Sequence, residues 1–169
     1  MRHVTAFALA IGAILGFGGS LAGAGTTQSV LLVISGLGLI TGAAMLAQRF
    51  SAGGKATIAT GFALLALAES LALTGGPPGL PSSEAAFAGT VALYVPALLV
   101  ISLPPGVQVV GRIAGALAAI PFAAYAWLYF TGGKVEPSGP LTGAGYGVLT
   151  IAIVVWIWML YRSGVRNAA

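Results

Sequence analysis

Six runs of about 20 predominantly apolar residues, separated by short Gly-, Pro-, Ser- and Thr-rich stretches, constrain this chain more than any other feature. A hydrocarbon core about 30 Å thick is crossed by about 20 residues of α-helix, at about 1.5 Å of rise each. The runs cover 4–23, 30–47, 56–74, 85–103, 109–131 and 143–161. The stretches between them hold breaker signals such as Gly53-Gly54, Gly75-Gly76-Pro77-Pro78 and Pro104-Pro105-Gly106. None is long enough to fold alone. The expectation is an all-α, polytopic membrane protein: one domain over 1–169, folded as a single bundle of six transmembrane helices.

Composition supports a lipid solvent. Only 6% of the 169 residues are charged, whereas a soluble domain carries roughly 25%. Such a chain has too little polar surface to cover a core in water. In a bilayer the outer face should be apolar, and the shortage disappears.

Lys and Arg set the expected orientation. With six spans, Arg2, Arg49, Lys55, Arg112, Arg162 and Arg166 fall on one side, and Lys134 on the other with Glu84 and Glu136. Both termini are therefore expected in the cytoplasm, and the protein in a bacterial cytoplasmic (inner) membrane. Met1-Arg2-His3, an apolar run and Ala22-Gly23-Ala24 have the outline of a cleavable signal peptide. We read the segment as a retained span, because losing it would scramble the charge pattern. Trp127, Tyr129 and Phe130 at one end of the fifth run, and Trp158 and Tyr161 at the other end of the sixth, suit headgroup-level anchoring.

Several function classes fall away. There is no cysteine, and the single histidine is His3. Thiolate chemistry and histidine-paired cofactor sites are thereby excluded. Glu69, Glu84 and Glu136 show no metal-ligand spacing. Ser82-Ser83-Glu84, read as a turn, has no histidine to activate a serine. No enzyme activity, cofactor or metal is expected. The basic residues are scattered singly at span ends, which argues for membrane orientation rather than nucleic-acid binding.

One residue breaks the pattern. Glu69 lies inside the run 57–76, roughly 13 residues from its basic end, hence about 20 Å into the core and about 8 Å from the far boundary. An ionised side chain at that depth costs at least about 2–3 kcal/mol. It must be hydrogen-bonded to a neighbouring helix as the neutral acid, or titrate in a polar cavity. Ser70 and Thr74 on the same run and Tyr94 on the next are candidate partners.

Two further patterns bear on packing. Gly12 and Gly16, Gly38 and Gly42, Gly111 and Gly115, and Gly143 and Gly147 are pairs four apart. Each pair presents a smooth helix face to a neighbour, either within the bundle or on another molecule. Pro96 and Pro121 fall inside the fourth and fifth runs. Each removes a backbone donor and frees a carbonyl one turn back, giving a static kink or a hinge. The third and fifth runs also echo one another faintly, as a parallel two-helix repeat would.

Two functions suit these features. The first is a non-enzymatic accessory or scaffolding component of a membrane assembly. It would act through helix-face contacts with a membrane-protein partner, or with further copies of itself, in the bilayer. The alternative is a small-solute channel or proton-coupled transporter with Glu69 as its titrating site.

Overall fold

A computed structural model describes residues 2–23, 25–75, 81–105, 107–133 and 139–165. It is all-helical among those residues. The helices are α1 (Arg2–Leu21), α2 (Thr26–Ala52), α3 (Ala56–Thr74), α4 (Pro81–Ser102), α5 (Val109–Phe130) and α6 (Pro140–Val165). Each is long and apolar enough to cross a membrane, which suggests a multi-pass membrane protein.

The helix bounds differ from the apolar runs where helix-start chemistry outweighs hydropathy. Helix α4 starts at Pro81, so Ser82-Ser83-Glu84 is its first turn and not a separate turn region. Helix α6 likewise starts at Pro140. Proline suits the first helical position, where its missing N–H has no partner to lose, and an acid such as Glu84 suits the positive end of the helix dipole. Helix α2 outruns its apolar run at both ends, taking in Thr26-Thr27-Gln28 and Arg49. Its length of about 40 Å exceeds the hydrocarbon thickness, so polar residues complete it.

Two helices stop by the same device. Gly54 has φ +71° and Gly132 φ +82°. The Lys55 N–H bonds the Phe50 carbonyl at 2.8 Å, and the Gly133 N–H bonds the Leu128 carbonyl at 2.8 Å. These are Schellman closures, and glycine supplies the left-handed residue each requires.

Every helix packs on its chain neighbours, and α6 closes on α1, making an up-and-down ring. His3 at the start of α1 meets Tyr161 near the end of α6, with Nδ1 and Oη 3.3 Å apart. Near α6's end, Met159 and Leu160 also share a cavity with Arg49, Lys55 and Val107. One end of the ring thus gathers Arg2, Arg49, Lys55, Arg112 and Arg162. Glu84 starts α4 at the other end. Lys134, Glu136 and Arg166 lie outside the described residues.

Small residues set how closely the ring closes. A Cβ on Gly38 would sit 2.8 Å from the Ala8 carbonyl oxygen and 2.9 Å from the Gly12 nitrogen. One on Gly12 would collide with Leu39, and one on Gly42 with Leu9. Gly16 faces Ser35, whose hydroxyl donates to the Gly12 carbonyl at 2.7 Å. These four glycines therefore form the α1–α2 contact. Gly111 faces Met159 and Val155 of α6, and Gly115 faces Ser102 of α4. Gly143 has nothing within 4 Å, and Gly147 meets only Phe17 at 3.9 Å. Gly61 and Gly145, which have no partner four away, make closer approaches, to Ile101 and Phe122.

Arg112 has a structural task. Its Nε donates to the Ser102 carbonyl at 2.8 Å and its guanidinium to the Leu103 carbonyl at 3.1 Å. It caps the last carbonyls of α4, which carry the negative end of that helix's dipole.

Candidate functional site

The buried face of α3 carries Ile58, Ala59, Gly61, Phe62, Leu65, Ala68 and Glu69. That spacing is one helical stripe, so the carboxylate takes the place of the next core residue. Glu69 is 4% exposed. Opposite it on α4 stands Tyr94, fully buried, whose hydroxyl donates to Glu69 Oε1. Thr90, one turn earlier on α4, donates to the Ala68 carbonyl at 3.1 Å and to its own Ala86 carbonyl at 2.8 Å. Two polar links thus fix α4 against α3 at this depth. Gly36 of α2 backs the carboxyl, since a Cβ there would lie 3.7 Å from Glu69 Oε2.

The other proposed partners are elsewhere. Ser70 donates to the Ala66 carbonyl at 2.9 Å and Thr74 to the Leu71 carbonyl at 2.7 Å, each satisfied on its own helix. Short hydroxyl side chains in a helix reach their own preceding turn more readily than a neighbour. Of the three candidates, Tyr94 is the one the fold brings to Glu69.

Aromatic rings wrap the pair. Tyr94 lies 4.8 Å from Phe122 of α5 and 6.4 Å from Tyr146 of α6, centre to centre. Phe122 meets Tyr146 edge to face at 5.6 Å, and Phe87 meets Tyr125 at 5.3 Å. Tyr146 thus joins the cluster through its ring contacts with Tyr94 and Phe122. Sequence reasoning missed Tyr146, Thr90 and Gly36. A signal existed for Thr90, which stands four residues before Tyr94 and so on its face.

Pro96 is exposed on the outer face of α4, and Pro121 is half-buried on α5. Both helices run through their prolines unbroken.

Toward the basic end, the same α3 stripe reaches a cavity of about 300 Å³. Arg49, Gly53 and Lys55 form its rim, with Phe62, Ile101, Val107 and Trp156 among its walls. Phe62 meets Trp156 edge to face at 5.0 Å and closes its floor. Phe62 precedes Glu69 by seven residues, two turns or about 10 Å along α3.

An acid and a phenol in an apolar interior can hold and exchange a proton. No group of three or more metal-ligating side chains occurs among the described residues. No known protein family matches the chain, and no curated protein or solved structure is significantly similar to it.

Proposed function

We propose that this is an integral protein of a bacterial cytoplasmic membrane that moves a small solute in exchange with, or together with, protons, with Glu69 as the proton site. Both termini and the Arg49–Lys55 turn face the cytoplasm, as the gathering of positive charge at that end supports. The observation that carries the reading is the position of Glu69. It lies inside the ring, hydrogen-bonded by Tyr94, on the helix stripe that also floors a cavity open at the basic end. Ionisable groups in such places mark proton relays and solute pathways.

The alternative is an accessory or scaffolding role through helix-face contacts. Gly12, Gly16, Gly38, Gly42, Gly111 and Gly115 meet neighbours within the ring, so the glycine spacing there needs no outside partner. Gly143 keeps open space, and a partner helix would find its closest approach there.

The test uses vesicles reconstituted with the purified protein and a trapped pH-sensitive dye. Glycerol and benzenesulfonate are supplied outside in turn. Solute-dependent proton movement is expected in the wild type and lost in Glu69→Gln, with helix content and elution volume unchanged. Equal rates in the two proteins would remove Glu69 from the mechanism.

A further inference from the structure

We infer that the cavity at the basic end is a binding site for a small amphipathic anion: an oxyanion head joined to an apolar body. The rim supplies charge. Arg49 and Lys55 flank the opening, and among the described residues Lys55 has no carboxylate partner. The described acids are Glu69, deep in the ring, and Glu84, at its other end. A guanidinium beside an ammonium, at the edge of an apolar chamber, favours an oxyanion over a neutral solute.

Below the rim the wall is aromatic and continuous. The Lys55 ammonium lies 6.0 Å over the Phe50 ring. Phe50 stacks on Phe62 at 5.5 Å with planes 5° apart, and Phe62 meets Trp156 edge to face. Leu46, Ile101, Val107 and Leu160 complete an apolar chamber. About 300 Å³ is the lower end of the range for ligand pockets, so the body is small.

The second, independent observation is an unpaired donor. Trp156 is 3% exposed, lines this cavity, and its Nε1–H has no acceptor. Buried donors are almost always paired, and a bare one calls for an acceptor not yet in place. An oxyanion or ether oxygen of the ligand supplies one. In the transport reading this anion is the solute moved, and to that extent the inference rests on that reading. Binding is measured at equilibrium, so loss of binding and loss of flux are told apart.

The same chemistry comes from two sources, a soluble anion or the phosphate of an anionic lipid, and the experiment separates them. Trp127→Phe and Trp158→Phe leave Trp156 as the sole indole reporter. The protein is placed in nanodiscs of phosphatidylcholine, with or without phosphatidylglycerol, and titrated with benzenesulfonate. Inorganic sulfate supplies charge alone, and benzyl alcohol an apolar body alone.

A saturable change in Trp156 emission is expected with benzenesulfonate, at least tenfold weaker with either control. Arg49→Gln with Lys55→Gln should weaken it about tenfold or more. Equilibrium dialysis of labelled benzenesulfonate should show weaker binding to Trp156→Phe, which keeps an aromatic ring but loses the donor. If phosphatidylglycerol alone shifts the emission and abolishes the benzenesulfonate response, the ligand is lipid. If both disc types respond alike, it is a soluble anion. Absence of a saturable response to benzenesulfonate or to phosphatidylglycerol, or a response unaffected by loss of both charges, would overturn the assignment.

Discussion

Glu69 was conspicuous in the sequence because nothing else charged falls in the middle of a span. Its partner was legible only as one of three hydroxyls, because apolar periodicity fixes which face a residue occupies but not which neighbour faces it. Tyr94 prevails by reach: a phenol extends across a helix interface, whereas Ser70 and Thr74 fold back on their own carbonyls. If the pair is one unit, Tyr94→Phe and Glu69→Gln should be non-additive in stability. The expected coupling is about 0.6–1.7 kcal/mol, the range for hydrogen bonds between membrane helices. A double-mutant cycle on reversible unfolding in mixed micelles measures it, and strict additivity would show that the two residues act separately.

Arg112 shows the opposite case, a residue whose sequence context suggested less than it does. At the start of α5 it read as an orientation charge. In the fold it also closes the end of α4 through two donors. Arg112→Gln should cost about 1.5–3 kcal/mol, the scale of hydrogen bonds from a charged donor. Arg112→Lys should recover only part of this, because an ammonium lacks the planar fork. Full recovery by lysine would reduce the role to charge.

At the scale of the element, hydropathy located all six helices and reproduced the bounds of α3 unchanged. It misplaced the starts of α4 and α6, because a proline at the first turn is read as a break when it is the beginning. The glycine pairs identified packing faces, but spacing alone did not separate a filled face from an open one. Gly38 and Gly143 look equivalent in sequence and differ in what surrounds them. Gly38→Ala drives a methyl against α1 backbone, which cannot move aside as a side chain can. It should destabilise by about 1–3 kcal/mol. Gly143→Ala should stay within about 0.5 kcal/mol of the wild type. Thermal unfolding of the two variants in the same detergent decides, and equal losses would contradict the packing assigned to α1 and α2.

At the scale of the whole molecule, ring closure puts the chemistry on one line. Arg49 and Lys55 lie at the rim, Phe62 and Trp156 two turns short of Glu69, and the Tyr94 hydrogen bond within. This alignment was not legible in the sequence, since it depends on α6 returning to α1 and facing α3 across the interior. The outer surface is correspondingly apolar: Phe7, Ile14, Ile120 and Phe130 face outward, and Trp127 is 72% exposed. The absence of cysteine makes orientation testable with single thiols. Ser51→Cys should react with an impermeant maleimide only when the cytoplasmic face is accessible, and Gly133→Cys only from the opposite face. Labelling of both from the same side would refute the three crossings, α3, α4 and α5, expected between them.

The cavity and Glu69 must act together if this line is a pathway, and linkage makes that measurable at equilibrium. The direct measurement is the number of protons taken up or released when benzenesulfonate, ionised at every working pH, binds to the solubilised protein in weakly buffered solution. The wild type should exchange protons on binding, and Glu69→Gln should bind without exchanging any. Identical proton exchange in the two proteins, or binding to the wild type with none, would contradict the coupling at the centre of the proposal.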